Sequence, residues 1–176
     1  MEYNRINFHE FVRGNLADIG YRMVLITNEL MDKRLDDFMN FVNSIRKEHF
    51  AIYGWKEESQ EYFLNPLVDK WKFSYAIVNN SDELCMISIN SRYEDRIHLH
   101  TVLVKNKFRN LCLSKYMLLK TAETAIDNNI RKLELYCQKN NNGALILYLK
   151  MGFEIESVRN NNDLLLVSDS EKTRNI

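Results

Sequence analysis

The sequence holds a single proline, Pro66, and five glycines in 176 residues, so no Pro/Gly-rich linker divides it. There is no internal repeat, and no low-complexity segment beyond short asparagine clusters. Three cysteines, Cys85, Cys112 and Cys137, are scattered and form no CxxC, which argues against a structural zinc site or a redox motif. Two of them lie inside apolar runs, where a free thiol behaves as a small core residue. Charge of one sign is also missing. Lys plus Arg and Asp plus Glu each number 24, so the long-range attraction expected of a nucleic-acid or anionic-membrane binder is absent. No apolar run approaches the ~20 residues of a membrane span. Residues 1–11 are polar and mixed in charge, unlike a signal peptide. The expectation is a cytoplasmic protein with neither nucleic acid nor membrane as a partner.

What is present reads as one globular domain, with 45% apolar and 27% charged residues. Residues 22–27 suggest a strand leading into a helix over 28–49, where Phe38, Phe41, Val42 and Ile45 recur at helical spacing. A second helix is expected over 57–64. The period then falls to two, predicting antiparallel strands at 73–78, 84–90 and 97–104. A polar bend over 105–110 precedes a helix over 113–127. A strand at 132–137, a helix over 142–151 stopped by Gly152, and strands at 153–158 and 164–167 complete the order. That order, β α α β β β α β α β β, predicts an α/β (α+β) sandwich with helices on a central sheet. Residues 1–21 read as an N-terminal extension, 22–168 as the domain, and 169–176 as a polar tail expected to fray.

Two stretches carry chemistry. In residues 98–118, HLHTVLVKNKFRNLCLSKYML, a strand runs through a tight loop into a helix. The first turn of a helix leaves amide N–H groups unpaired at the positive end of its dipole, which makes an anion site. Arg109, with Lys105, Lys107 and Lys115 nearby, adds charge suited to a pyrophosphate, although a solvated basic loop would look the same. The second stretch, residues 133–153, is LELYCQKNNNGALILYLKMGF.

Together the two stretches resemble the GNAT acetyltransferase superfamily. Its Arg/Gln-x-x-Gly-x-Gly/Ala loop falls on Arg109, Cys112 and Ser114. Its Asn-x-x-Ala-x-x-x-Tyr-x-x-x-Gly-Phe pattern falls on Asn141, Ala144, Tyr148, Gly152 and Phe153. The resemblance spans roughly residues 22–168 and implies an acyl-CoA N-acyltransferase fold, with a mixed, mostly antiparallel central sheet flanked by helices. It implies acetyl-CoA as co-substrate and no metal. The sheet would splay between the strand ending at Val104 and the strand at 133–137, and the pantetheine arm would pair with backbone near Leu103 and Val104. The pyrophosphate would rest on the loop of Arg109, Asn110, Leu111, Cys112, Leu113 and Ser114. Asn141 would hold the pantetheine, and Tyr148 would protonate the departing thiolate. One departure stands out: Cys112 and Ser114 replace both loop glycines, and glycine is what permits positive φ and close approach to phosphate.

His98 and His100 are two apart on a strand, which puts their rings on one face. The run from His98 to Arg109 is similar to the corresponding segment of arylalkylamine N-acetyltransferase, where two such histidines relay a proton through water. A histidine near pKa ~6.5 suits removal of a proton from an attacking amine, and the implied mechanism is direct attack without an acyl-enzyme. The same pattern also fits satisfied core histidines. A metal site would need a third ligand, and nothing in the sequence brings His9 or His49 to the pair. Glu94 and Asp95 are further candidate bases. The resemblance locates the acceptor pocket around residues 53–58 and 159–163, with Tyr53 and Trp55 either stacking on a ring or packing a helix.

The leading expectation is N-acetyl transfer to the primary amine of a small molecule. Acylation of a protein amine, and a degenerate domain that serves as an acyl-CoA sensor or assembly module, are the alternatives. Dimers occur in the superfamily, so a homodimer is carried by analogy alone.

Overall fold

The computed structural model describes residues 16–160 and 162–176. A short 3-10 turn, Leu16–Ile19, leads into strand β1, Tyr21–Leu25. Helix α1, Asn28–Tyr53, is followed by two short helices, α2 (Gln60–Leu64) and α3 (Lys70–Phe73). Strands β2 (Tyr75–Asn79), β3 (Leu84–Tyr93) and β4 (Arg96–Val104) form a meander. Helix α4, Leu113–Asp127, strand β5, Lys132–Gln138, and helix α5, Asn142–Lys150, come next. Strands β6 (Glu154–Arg159) and β7 (Asp163–Asp169) and helix α6 (Ser170–Arg174) close the chain.

Among the described residues, seven strands make one sheet in the order β1-β2-β3-β4-β5-β7-β6. Of these, β4 and β5 run parallel, as an α4 crossover requires, and the other pairs are antiparallel. This is the mixed α/β sandwich expected from the sequence. Alternation along the strands sends Ala76, Ile87 and Ile89 to one face, against Phe38, Phe41, Val42 and Ile45 of α1 and Phe63 of α2. The other face carries Ile97, Leu99, Leu133, Leu135, Leu164 and Leu166 beneath Leu118, Ala122 and Ala125 of α4 and Tyr148 of α5.

Several boundaries differ from the periodic reading, each for a local reason. Thr27 caps α1 by accepting from the Leu30 amide at 3.1 Å, and the helix runs on to Gly54, whose φ of 67° ends it. Its last turn carries Phe50 and Ile52 exposed, so periodicity fades before the helix does. Helix α2 starts three residues late because Asn43 grips the backbone N–H and C=O of Glu58, at 2.8 and 3.0 Å. Phe73 ends α3 rather than opening β2. Strands β3 and β4 reach through most of the expected loop, leaving Glu94 (φ 54°) and Asp95 as a tight hairpin.

The C-terminal segment does not fray. Asp169 caps α6, with Oδ1 accepting from the Glu171 and Lys172 amides. Ser170 and Thr173 are fully buried, and the Ser170 amide donates to Arg131 O at 2.7 Å. Thr173 Oγ1 donates to Met151 O at 3.1 Å and lies 2.8 Å from Ser168 Oγ. The segment is polar because it is held by hydrogen bonds rather than by apolar contact. The expected extension is divided: residues 1–15 lie outside the described residues, while Leu16 is buried beside Phe108, Leu113 and Met117.

Thr173→Val keeps the shape and removes the buried hydroxyl, so it should cost about 1–3 kcal/mol. Differential scanning fluorimetry should show a melting temperature lower by several degrees; an unchanged value would return the segment to the status of a loose tail.

Candidate active site

The site begins where two strands part. β4 and β5 pair over four positions, from Arg96↔Lys132 to Leu99↔Leu135, and no further. Beyond them β4 stays with β3 as far as Val104, while β5 stays with β7 as far as Gln138. The edges of both strands facing the gap are left without a strand partner. Two cavities occupy it.

The larger, about 470 Å³, is bordered by Leu103 and Val104 of β4, the loop before α4, and Asn141, Ala144 and Tyr148 of α5. Arg109, Asn110, Cys112, Leu113 and Ser114 all line it, and Leu111 does not: its side chain packs inward near Phe108 and Met117. Cys112 has φ 56° and ψ 13°, the left-handed conformation a glycine would adopt, and Asn110 also has positive φ. The loop therefore keeps its course without glycine, at a cost of about 1–2 kcal/mol for the cysteine. The Lys115 and Tyr116 amides donate to Cys112 O at 2.9 and 3.2 Å. Among the described residues, the amides of Leu111, Cys112, Leu113 and Ser114 have no protein acceptor. Four open donors at the N-terminus of a 15-residue helix suit an anion.

The basic side chains divide differently from the expectation. Lys105 and Lys107 turn away to Glu83, at 3.0 and 2.7 Å. Lys115 is buried. Arg109 stays at the cavity, where Nη2 donates to His49 Nε2 at 3.1 Å. That ring is oriented by its Nδ1–H, which donates to Ile45 O at 3.1 Å, and it stacks on Trp55 at 5.4 Å. Tyr53 completes the stack, and Gln138 Nε2 donates to Tyr53 O at 3.1 Å from the opposite bank. The end of α1 thus spans the gap from the α4 loop to β5.

Asn141 caps α5, its Oδ1 accepting from the Ala144 amide at 3.4 Å, which leaves Nδ2 for the cavity it lines. Tyr148 is buried, edge-on to Phe153, and lines both cavities. Its hydroxyl has no hydrogen-bond partner among the described residues. Burial, and then the neighbouring Cys137, holds the phenol well above its ordinary pKa, so it stays protonated.

The smaller cavity, about 230 Å³, shares Trp55, Leu103, Asn141 and Tyr148 with the larger and adds His100, Tyr136, Gln138, Arg46 and Asp163. His100 is the extra residue of a bulge: Ile89 pairs with Thr101 and Asn90 with Leu99. Asn90, fully buried, anchors the bulge by donating to Phe73 O at 2.6 Å and accepting from Ser88 Oγ at 2.8 Å. His100 Nε2 lies 2.6 Å from Ser91 Oγ, and its ring is 4.5 Å from that of His98. Desolvation by the cleft walls, then His98 and Lys70, pushes its pKa down to about 4, although solvent still reaches the ring.

His98 lines neither cavity and sits behind His100. Its Nδ1 is 2.9 Å from Glu134 Oε1, and Arg96 Nη1 donates to Glu134 Oε2 at 2.8 Å. A carboxylate only accepts, so His98 donates from Nδ1. Glu134 is the residue that sequence reasoning missed. It is a buried carboxylate in the apolar run LELYC, opposite His98 only because of strand register. Glu94 and Asp95, by contrast, lie in the hairpin before β4, at the end of the strand away from the gap. No three His, Cys, Asp or Glu side chains among the described residues gather to hold a metal.

The model of the Acetyltransferase (GNAT) family matches residues 35–153. The chain belongs to that family. It is an acetyltransferase acting with CoA. A search of curated proteins found no match. Solved structures agree in fold. A GNAT-family acetyltransferase from Staphylococcus aureus Mu50 superposes with TM-score 0.71 at 17% identity, over 85% of this chain and 99% of that one. The ribosomal-protein-S18-alanine N-acetyltransferase of Escherichia coli gives 0.69 at 14% identity, over 85% and 93%. The PaiA N-acetyltransferase of Thermoplasma acidophilum, solved with coenzyme A, gives 0.65 at 14%, over 85% and 98%. In this GNAT chain the loop cradle is built on cysteine. Cys112→Gly is expected to relieve the backbone and remove a side chain from the cavity, tightening CoA binding several-fold by isothermal titration calorimetry. An unchanged Kd would show that the thiol does not crowd the cradle.

Proposed function

We propose that this GNAT enzyme transfers an acetyl group from acetyl-CoA to the primary amine of a small molecule by direct attack. The observation that carries the reading is the meeting of two cavities at Tyr148: one bordered by Cys112, Leu113 and Ser114 with their open amides, the other by His100. The amides of Leu111, Cys112, Leu113 and Ser114, with Arg109, would take the pyrophosphate. The unpaired edge of β4 at Leu103 and Val104 offers hydrogen bonds to the amide-bearing pantetheine arm, and Asn141 Nδ2 adds a donor. The thioester would then lie where the cavities join. The acceptor would enter the smaller one.

An ammonium near pKa ~10 must lose a proton before it can attack. His100, neutral at working pH, is a weak base but can relay that proton. His98 lies beside it, its ring 4.5 Å from that of His100, and is the second candidate for taking the proton. Glu134 holds His98 by Nδ1 as a positioning residue, and Arg96 fixes its second oxygen. Tyr148, kept protonated by burial, would donate to the leaving sulfur. Free Cys85, Cys112 and Cys137 accord with the reducing cytoplasm, the compartment proposed. The retained left-handed turn at Cys112 speaks for a working CoA site rather than a degenerate domain.

Tyr148→Phe should lower kcat by about 10²-fold, within the range for general acid–base groups, with acetyl-CoA affinity unchanged. Free CoA release followed with a thiol reagent checks the first, and calorimetry the second. Full activity in the phenylalanine variant would remove Tyr148 from the chemistry.

A further inference from the structure

Ser91 carries a buried hydroxyl that the chemistry above leaves unused. It sits on β3, just past the bulge, and the register puts it opposite His98. His98 is committed elsewhere, through Nδ1 to Glu134. The Ser91 hydroxyl goes instead to the diagonal neighbour, its Oγ 2.6 Å from His100 Nε2. The backbone that carries it is pinned at Asn90. The Asn90 amide donates to Ser74 Oγ at 2.9 Å, its Nδ2 to Phe73 O at 2.6 Å, and its Oδ1 accepts from Ser88 Oγ at 2.8 Å. Ser91 Oγ has no other hydrogen-bond partner among the described residues, and His100 Nδ1 has none.

A hydroxyl meets a neutral imidazole in two ways. If it donates to a bare Nε2, the ring's proton sits on Nδ1 and His100 can only offer a proton there. If it accepts from Nε2–H, Nδ1 is bare and His100 can take one. Resting on the direct-attack reading above, we propose that Ser91 is a positioning residue that accepts from His100 Nε2–H and so keeps Nδ1 bare for the proton of the attacking amine. As the new C–N bond forms, the amine nitrogen turns positive and its proton becomes acidic enough for a weak base. That proton forms a bond to Nδ1, and the electrons of the broken N–H bond stay on the amine nitrogen. The imidazolium keeps Nε2–H on Ser91 Oγ, so one hydrogen bond serves both states of the ring. Desolvation, then His98 and Lys70, pushes the His100 pKa down to about 4, so the resting ring is neutral and the proton passes on to solvent. With the serine as donor, Nδ1 is already occupied and the relay stops. A histidine held in the wrong tautomer is disabled as a base even where the geometry is intact.

The test reads the tautomer and the rate together. Long-range nitrogen–proton NMR correlation on protein with isotope-labelled histidine distinguishes Nε2–H from Nδ1–H, and the signals that His100→Gln removes assign the ring. The expected result is Nε2–H near neutral pH in the unmodified protein, and a mixture of both forms in Ser91→Ala. Ser91→Ala should lower kcat by about tenfold, part of the roughly 10²–10⁴-fold that a general base contributes, with acetyl-CoA affinity unchanged. Ser91→Thr, which keeps the hydroxyl on a residue suited to a strand, should restore both the tautomer and kcat. Nδ1–H in the unmodified protein overturns the proposal without any variant, and so does full kcat in Ser91→Ala; both leave the acetyltransferase reading intact. Full kcat in His100→Gln overturns the proton-relay reading itself, and the proposal with it.

Discussion

Everything at the site depends on the point where β4 and β5 stop pairing. Four register pairs hold the two strands together at the end that carries Arg96, His98 and Glu134. Past Leu99 each strand keeps its other neighbour and the two diverge. The paired end can therefore bury a carboxylate between an arginine and a histidine, because register sets their spacing. The open end exposes backbone edges and leaves room for two joined cavities. The bulge at His100 falls at the boundary and turns that ring toward the cavity while His98 remains behind it. Ser88, Asn90 and Ser74 hold the bulge from the far side, with Ser74 Oγ accepting from the Asn90 amide at 2.9 Å. A parallel pair inserted into an antiparallel sheet is what gives this enzyme both the buried His98–Glu134 pair and a cleft.

The second constraint is the loop into α4. The anion-binding capacity proposed for it would come from backbone amides and depend on path rather than side chains. Cys112 and Asn110 adopt positive φ and preserve that path. Arginine contributes less freely than a count of basic residues implies, since Arg109 is shared with His49 and two lysines are spent on Glu83. The stack of His49, Tyr53 and Trp55 is neither plain helix packing nor an isolated ring platform. It crosses the gap and forms a wall of both cavities through Trp55.

The sheet and its flanking helices were legible because alternation and helical spacing both reflect burial of apolar side chains. The block from Asn141 to Phe153 was legible because its residues act locally on one helix and its stop. What escaped depended on polar contacts between distant segments. Glu134 stands in an apolar strand as any outward residue would, and only pairing with β4 gives it His98 and Arg96. Arg46 lies on the polar face of α1, where a solvated charge is the ordinary reading, and its place at the cavity comes from the α1–β5 arrangement. Ser170 and Thr173 looked like tail residues because hydrogen-bonded burial leaves no hydrophobic period. Lys70 escaped in the same way. It is buried, donates to Tyr62 O and Phe63 O at 2.8 Å each, and is pulled down to about 8 by desolvation.

The central claim is that acetyl-CoA seats its pyrophosphate on the open amides at the start of α4 and its arm along the unpaired edge of β4. Hydrogen–deuterium exchange with and without saturating acetyl-CoA tests it directly, since among the described residues the amides of residues 111–114 have no protein acceptor to slow them. The account predicts slowed exchange in peptides covering residues 100–104 and 110–116, with little change in β1 and β6. Saturation without protection at 110–116 would contradict it.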